Sequence, residues 1–179
     1  IASRMFNDHG LQYSTDEIIV CNGAKHALYN VFQAILNPGD EVIVDKPCWV
    51  SYPEMVRMAE GRPVFLNCPE SQGFLPKMDD LVKCISPRTK AVVLNTPSNP
   101  NGCVWTREQL QALADLAVEH DFYIIADEIY EKLIYGEPWR ADDTHLSRPV
   151  VLCDKNSLKT ISGKIGAFCD DIRDAIKGS

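Results

Sequence analysis

Hydrophobic segments of two kinds alternate along the chain. Short apolar runs rich in valine, isoleucine and leucine are typical of buried strands. They occur at residues 18–21, 41–44, 63–66, 91–94, 123–126 and 150–153. Most of the stretches between them carry apolar residues three and four positions apart, as amphipathic helices do. The alternation predicts an α/β fold, a three-layer sandwich in which a mostly parallel sheet has helices on both faces.

Local signals define several of the predicted helices. A first helix ends at Gly10, because glycine is a usual helix stop. Thr106 and Gln109 have the spacing of a capping box, which predicts a helix from there to about residue 120. Shorter helices are predicted at residues 52–59, 78–85 and 170–177. One further helix would bury an apolar face composed of Ala27, Leu28, Val31, Phe32 and Ile35.

Composition narrows the class of protein. A length of 179 residues is typical of a single domain. The net charge of −7 provides no basic field for nucleic acid, and no apolar run is long enough for a membrane span, so neither partner is expected. Seven cysteines without a CxxC pair predict reduced thiols and a cytoplasmic location. The histidines lack zinc-type spacing, so no metal is expected. The chain opens inside a helical pattern, as a piece of a longer protein would.

Asp127 is the first candidate for chemistry. It directly follows the apolar run 123–126, and a carboxylate at the end of a buried strand is unfavourable unless something pairs with it. Ligands of open α/β sheets bind at the carboxyl ends of the strands. Asp127 could hold a proton on a heterocyclic nitrogen, and Tyr130 could bond a ring oxygen. The alternative is an aspartate that caps the next helix.

Three further segments could contribute to the same site. Gly23, Ala24 and Lys25 stand between a predicted strand and a helix, where backbone N–H groups could hold a phosphate, although such a turn is more often only a turn. Trp49 follows the second strand and could stack on a flat ligand or pack in the core. Asn99 lies in a loop rich in proline and asparagine after the fourth strand, and could bond a ligand oxygen.

Four stretches of the sequence together resemble one family. They read IIVCNGAKHALYN, NPGDEVIVDKPCWVSYPEMV, TKAVVLNTPSNPNG and YIIADEIYEKLIY, and the resemblance covers about residues 1–136. The family is that of the fold-type I pyridoxal-phosphate enzymes, specifically class I aminotransferases of the bacterial aspartate/aromatic group. By this resemblance residues 1–179 form the cofactor-binding large domain. The family's N-terminal segment and small C-terminal domain would lie outside the chain.

The resemblance assigns roles toward pyridoxal phosphate. The turn at residues 23–25 would lie at the cofactor phosphate, and Trp49 would stack on the pyridine ring. Asn99 would bond the ring hydroxyl, with Tyr130 beside it. Asp127 would pair with the protonated ring nitrogen, which keeps the ring an electron sink. The sequence departs from the family pattern at Asn101, where the loop usually has threonine.

The C-terminal segment would supply the covalent anchor. Lys159 is the candidate for the Schiff base, and Ser157 stands one position further from it than in the family's Ser-Lys pair. The family has an arginine on the phosphate beyond this lysine, and Lys164 is the residue nearest to its place. Lysine offers charge there but not the bidentate fork of arginine.

The resemblance implies a reaction. The enzyme would transfer an amino group from an aspartate-like or aromatic L-amino acid to a 2-oxo acid, with Lys159 as anchor and proton shuttle, in a homodimer. Two alternatives stay open. One is a truncated, non-catalytic fragment that binds pyridoxal phosphate, and the other is a lyase or synthase that depends on the same cofactor and uses the same scaffold.

Overall fold

The fold is described by a computed structural model, which covers residues 1–9, 12–130, 133–134 and 151–153. The helices are α1 (Ala2–His9), α2 (Ala24–Ile35), α3 (Ser51–Met58), α4 (Met78–Cys84) and α5 (Arg107–His120). The strands are β1 (Glu41–Lys46), β2 (Arg62–Asn67), β3 (Thr89–Asn95), β4 (Tyr123–Asp127) and β5 (Val151–Cys153). The predicted helix at residues 170–177 lies outside the described residues.

The five strands form one sheet in the order β2-β1-β3-β4-β5. The first four strands are parallel, with Val44 beside both Phe65 and Val93, and Val93 beside Ile125. Strand β5 runs antiparallel to β4. The predicted α/β fold with a mostly parallel sheet is therefore confirmed.

Alternate residues of each strand bury their side chains on opposite faces of the sheet, as the strand period of two requires. On one face Val42 and Val44 pack with residues of α2 and α3, including Phe32 and Val56. On the other face, Ile43 belongs to a cluster that also contains residues of α4 and α5. Its members include Leu81, Trp105, Leu110 and Leu113. Helices thus cover both faces, which makes the predicted three layers.

The prediction of a strand at residues 18–21 is wrong. Residues 18–20 have no regular structure, and the side chains of Ile19 and Val20 are 50% and 76% exposed. An apolar run becomes a strand only when a neighbouring strand accepts its backbone hydrogen bonds. None of the described strands pairs with this segment.

The capping box that begins α5 is confirmed. Gln109 N–H donates to Thr106 Oγ1 at 3.3 Å, and Thr106 N–H donates to Gln109 Oε1 at 2.9 Å. This reciprocal pair fixes the start of α5 after the long loop that follows β3. Within the described part of the chain, no helix is both long and apolar enough to cross a membrane.

Candidate active site

The candidate site lies at the edge of the sheet where β1, β3 and β4 end. Asn95 and Asp127 end β3 and β4 and are register partners. Trp49 follows β1, and its contact with Lys25 brings the start of α2 to the same edge. Parallel strands and the loops after them bring these residues together, although the sequence separates them widely. Open α/β sheets bind their ligands at this edge.

The turn before α2 can receive an anion. Gly23 has a backbone φ of +87°, a left-handed value that favours glycine. Asn22 N–H donates to His26 Nδ1 at 3.2 Å, which ties the turn to the first helical turn. The first N–H groups of an α-helix have no intrahelical acceptor and carry the positive end of the helix dipole. Gly23 N–H donates to the Cys21 carbonyl at 2.9 Å, so the N–H groups of Ala24 and Lys25, the first of α2, are the ones with the chemistry of a phosphate site.

Aromatic contacts connect this turn to the sheet. Lys25 Nζ lies 4.9 Å from the centroid of the Trp49 ring, a cation–π distance. The Trp49 and Tyr52 rings meet edge to face, with centroids 5.2 Å apart and an angle of 83° between their planes. Trp49 is half-buried, so part of its indole is open to solvent or to a ligand.

Tyr52 donates a hydrogen bond from its phenol to Asp127 Oδ2 at 2.7 Å. The two residues are 2% and 4% exposed, so the bond is shielded from water. Burial raises the pKa of Tyr52 well above its usual range, and the negative charge of Asp127 raises it further. The phenol therefore stays protonated and remains a donor. Tyr52 was not among the predicted site residues, although its place three residues after Trp49, at the start of α3, was a usable signal.

The Asp127 carboxylate accepts hydrogen bonds but has no cationic partner among the described residues. Besides the bond from Tyr52, its Oδ1 accepts a long hydrogen bond of 3.4 Å from Ile129 N–H. No helix begins at Asp127 among the described residues, but the bond from Ile129 N–H has the spacing of a cap and most of the segment after residue 130 is not described, so the capping alternative stays open. Within this part of the chain no lysine or arginine pairs with the carboxylate. A buried carboxylate with neutral partners favours a ligand that brings a proton or a positive charge.

Asn95 links the loop after β3 to the end of β4. Its Nδ2 donates to the Asp127 carbonyl at 2.8 Å, and its Oδ1 accepts from Asn99 N–H at 2.7 Å. Asn95 is 7% exposed. The sequence analysis also missed this residue, because nothing in the loop composition distinguishes Asn95 from its neighbours.

A small cleft opens between the ends of β1 and β3. Its lining includes polar side chains from both strand ends, among them Asp45, Cys48, Tyr52, Asn95 and Asn99. Tyr130, half-buried in the turn after β4, lies close enough to Tyr52 to contribute to the raised pKa of that phenol, after burial, Asp127 and Cys48.

Asp45, near the end of β1, was not among the predicted site residues; the residue is half-buried, and its carboxyl oxygen Oδ1 is fully buried. Burial raises its pKa to about 7, and the indole of Trp105 opposes the rise. Asp45 Oδ1 and Trp105 Nε1 are both buried, and neither completes a hydrogen bond of ordinary geometry with any described residue. Its charge also contributes, after burial, to the raised pKa of the Cys68 thiol.

The structure thus brings together most of the predicted site residues at one edge of the sheet. They are Gly23, Ala24, Lys25, Trp49, Asn99, Asp127 and Tyr130. The remaining candidates, Ser157, Lys159 and Lys164, lie outside the described residues. Their place relative to Asp127 stays a prediction.

Comparison with known proteins agrees with this architecture. The family model described as "Aminotransferase class I and II" matches residues 1–157. An aspartate/prephenate aminotransferase of Thermus thermophilus is 53% identical over 168 residues, which are 94% of this chain and 42% of that protein. An aspartate aminotransferase of Bacillus subtilis is 49% identical over 136 residues, 76% of this chain and 35% of that protein. The chain therefore spans less than half the length of these relatives.

Solved structures give the same result. A mutant aspartate aminotransferase of Thermus thermophilus superimposes with a TM-score of 0.75 at 38% identity, over 99% of this chain and 58% of that one. An aromatic aminotransferase of Pyrococcus horikoshii gives 0.73 at 36% identity, over 76% of this chain and 37% of that one. Fold, matched family model and sequence identity agree, and the chain belongs to the class I and II aminotransferase family.

Proposed function

We propose that the chain is the cofactor-binding part of a pyridoxal-phosphate-dependent aminotransferase. The reaction would move an amino group from an aspartate-like or aromatic L-amino acid to a 2-oxo acid. The observation that carries the proposal is Asp127, a buried carboxylate that accepts a hydrogen bond from Tyr52 and meets no cation among the described residues. A protonated pyridine nitrogen is the kind of partner this carboxylate lacks.

The described residues fit the rest of the cofactor. Trp49 offers an indole for stacking on a flat ring, and Asn99 lines the cleft beside it. The turn at Gly23 has the backbone donors and the helix dipole that a phosphate monoester requires. Lys25 is exposed and adds a positive charge to that turn.

Each residue would have a distinct task. When bound, pyridoxal phosphate supplies an electron sink for the carbanion formed as an amino acid loses its α-proton. Asp127 would hold the proton on the ring nitrogen, and Tyr52 would hold Asp127 in place. Asn99 and Tyr130 would bind the ring hydroxyl. Lys159 would anchor the cofactor and carry the α-proton. Ser157 and Lys164 would lie toward the cofactor phosphate.

Aspartate is the proposed amino donor, because both relatives described above carry aspartate in their names. Prephenate, the 2-oxo acid in one of those names, is the first acceptor to test beside 2-oxoglutarate. The homodimer and the cytoplasmic location stay predictions.

Spectroscopic titration with pyridoxal phosphate tests the proposal. We expect the wild-type chain to bind the cofactor and to give a visible absorption band that Lys159→Ala removes. Incubation with L-aspartate and 2-oxoglutarate should then yield glutamate. Elimination products in place of glutamate would indicate a lyase, and binding without product would indicate a binding fragment. Absence of any binding would refute the proposal.

A further inference from the structure

The amide of the Asn95 side chain bonds two backbone groups, one at the end of β4 and one in the loop after β3. The NH2 group donates to the carbonyl of Asp127, and the carbonyl accepts the N–H of Asn99. Asparagine can do this because its amide combines donors and acceptors at one end of a short side chain. Aspartate has nearly the same shape but, when ionised, has no donor for a carbonyl.

The loop that carries Asn99 is tied to itself by several hydrogen bonds. Ser98 N–H donates to the Cys103 carbonyl at 2.9 Å, and Gly102 N–H donates to the Ser98 carbonyl at 2.8 Å. Trp105 N–H donates to Thr96 Oγ1 at 3.0 Å, which fixes the loop to the buried Trp105. These bonds hold the loop together, and the side chain of Asn95 joins it to the end of β4.

We propose that Asn95 is a positioning residue that fixes the distance between Asn99 and Asp127, and thereby makes the site selective for a pyridine ring that carries a hydroxyl group. The inference rests on the proposed function, in which Asn99 binds the ring hydroxyl and Asp127 binds the ring nitrogen. The hydroxyl oxygen and the ring nitrogen lie at a fixed distance because the aromatic ring is rigid. Asn99 and Asp127 must therefore be held at a matching distance. Asn95 itself does not touch the ring.

The test compares two ligands, pyridoxal 5′-phosphate and its analogue that lacks the ring hydroxyl. The dissociation constant of each is measured for the wild-type chain, Asn95→Asp and Asn99→Ala. We expect Asn95→Asp to reduce the preference for the hydroxyl-bearing ligand about fivefold, the range of one hydrogen bond. Asn99→Ala should reduce it at least as much, because it keeps the backbone N–H that Asn95 holds but removes the side-chain amide that would bind the ring hydroxyl.

Asn101→Asp is the matched control. It makes the same chemical change within the loop, but among the described residues the Asn101 side chain bonds only through its oxygen, which accepts Cys103 N–H at 2.9 Å. Aspartate keeps that acceptor, so the ligand preference should stay at the wild-type value. Asn95→Ser serves as a second variant if Asn95→Asp fails to fold. Its neutral hydroxyl is too short to reach both the Asp127 carbonyl and Asn99 N–H, so it should also reduce the ligand preference.

The outcomes separate this inference from the proposed function. If the wild-type chain binds neither ligand, the proposed function fails and the inference fails with it. If the wild-type chain binds and the Asn95 variants weaken both ligands equally, Asn95 is only structural and the inference alone is overturned. A selective loss for the hydroxyl-bearing ligand, absent in Asn101→Asp, supports both.

Discussion

Asp45→Asn should make the protein more stable, and the gain should depend on pH. The wild-type carboxyl is buried at the end of β1 beside the indole of Trp105, with a pKa raised from its ordinary 3.8 to about 7. Its Oδ1 completes no hydrogen bond of ordinary geometry with the described residues. Asparagine keeps the shape and a neutral acceptor for the indole, and it removes the ionisation.

The magnitude follows from the pKa. A rise from 3.8 to about 7 corresponds to about 4 kcal/mol, since one pKa unit is worth about 1.4 kcal/mol. At a pH below the ordinary value the carboxyl is neutral in the folded and unfolded chains, and Asp45 has no effect. Between pH 3.8 and about 7 the Asp45 carboxyl is ionised in the unfolded chain but neutral in the folded chain. The free energy of unfolding therefore falls as pH rises through this range. Above a pH of about 7 the carboxyl is ionised in both states, and the free energy of unfolding falls no further on account of Asp45.

Urea denaturation of the wild-type chain and Asp45→Asn from acidic to mildly alkaline pH checks this prediction. The difference in unfolding free energy should grow with pH and level off at up to about 4 kcal/mol, an upper bound because relaxation around the charge lowers its penalty. Asp79→Asn, an exposed carboxylate on α4, is the control and should show no such growth. A constant difference between the wild-type chain and Asp45→Asn would refute the burial argument.

Substitutions at three other positions test the site and the fold. Tyr52→Phe removes the donor to Asp127 and should lower the free energy of unfolding by about 2 kcal/mol, measured by urea denaturation, because it leaves a buried carboxylate short of a partner. Thr106→Ala should lower it by about 1 kcal/mol through loss of the cap, and a Thr106→Ser variant that keeps the hydroxyl should recover most of that loss. Trp105→Ala should lower it by about 3–5 kcal/mol, measured by thermal unfolding, since Trp105 is fully buried; a smaller effect would mean that the core closes around the gap.

The sequence was sufficient to predict most of the alternation of strands and helices and the gathering of candidate residues at the strand ends. Apolar runs such as 91–94 and 123–126 lie where β3 and β4 do, and a carboxylate after such a run is conspicuous. The family resemblance rested on contiguous motifs, and the matched family model bears it out. Local signals were reliable where both partners lie within one helical turn, as in the capping box at Thr106.

Contacts between distant residues were beyond the reach of the sequence. Tyr52 and Asp127 are 75 residues apart, and their hydrogen bond depends on how α3 packs across the sheet. Asn95 acquires its role only because β3 and β4 pair in a register that sets it beside Asp127. The segment 18–21 has the composition of a strand, but composition does not supply a neighbouring strand.

The protonation state of the cofactor ring nitrogen tests the central claim most directly. Pyridoxal phosphate labelled with ¹⁵N in its ring, bound to the wild-type chain and to Asp127→Ala, would be measured by nitrogen NMR at neutral pH. We predict a protonated nitrogen in the wild-type complex and an unprotonated one in Asp127→Ala, because only the wild-type chain places a buried carboxylate at this position. An unprotonated nitrogen in the wild-type complex, or the same signal in both, would contradict the assignment of Asp127 as its partner.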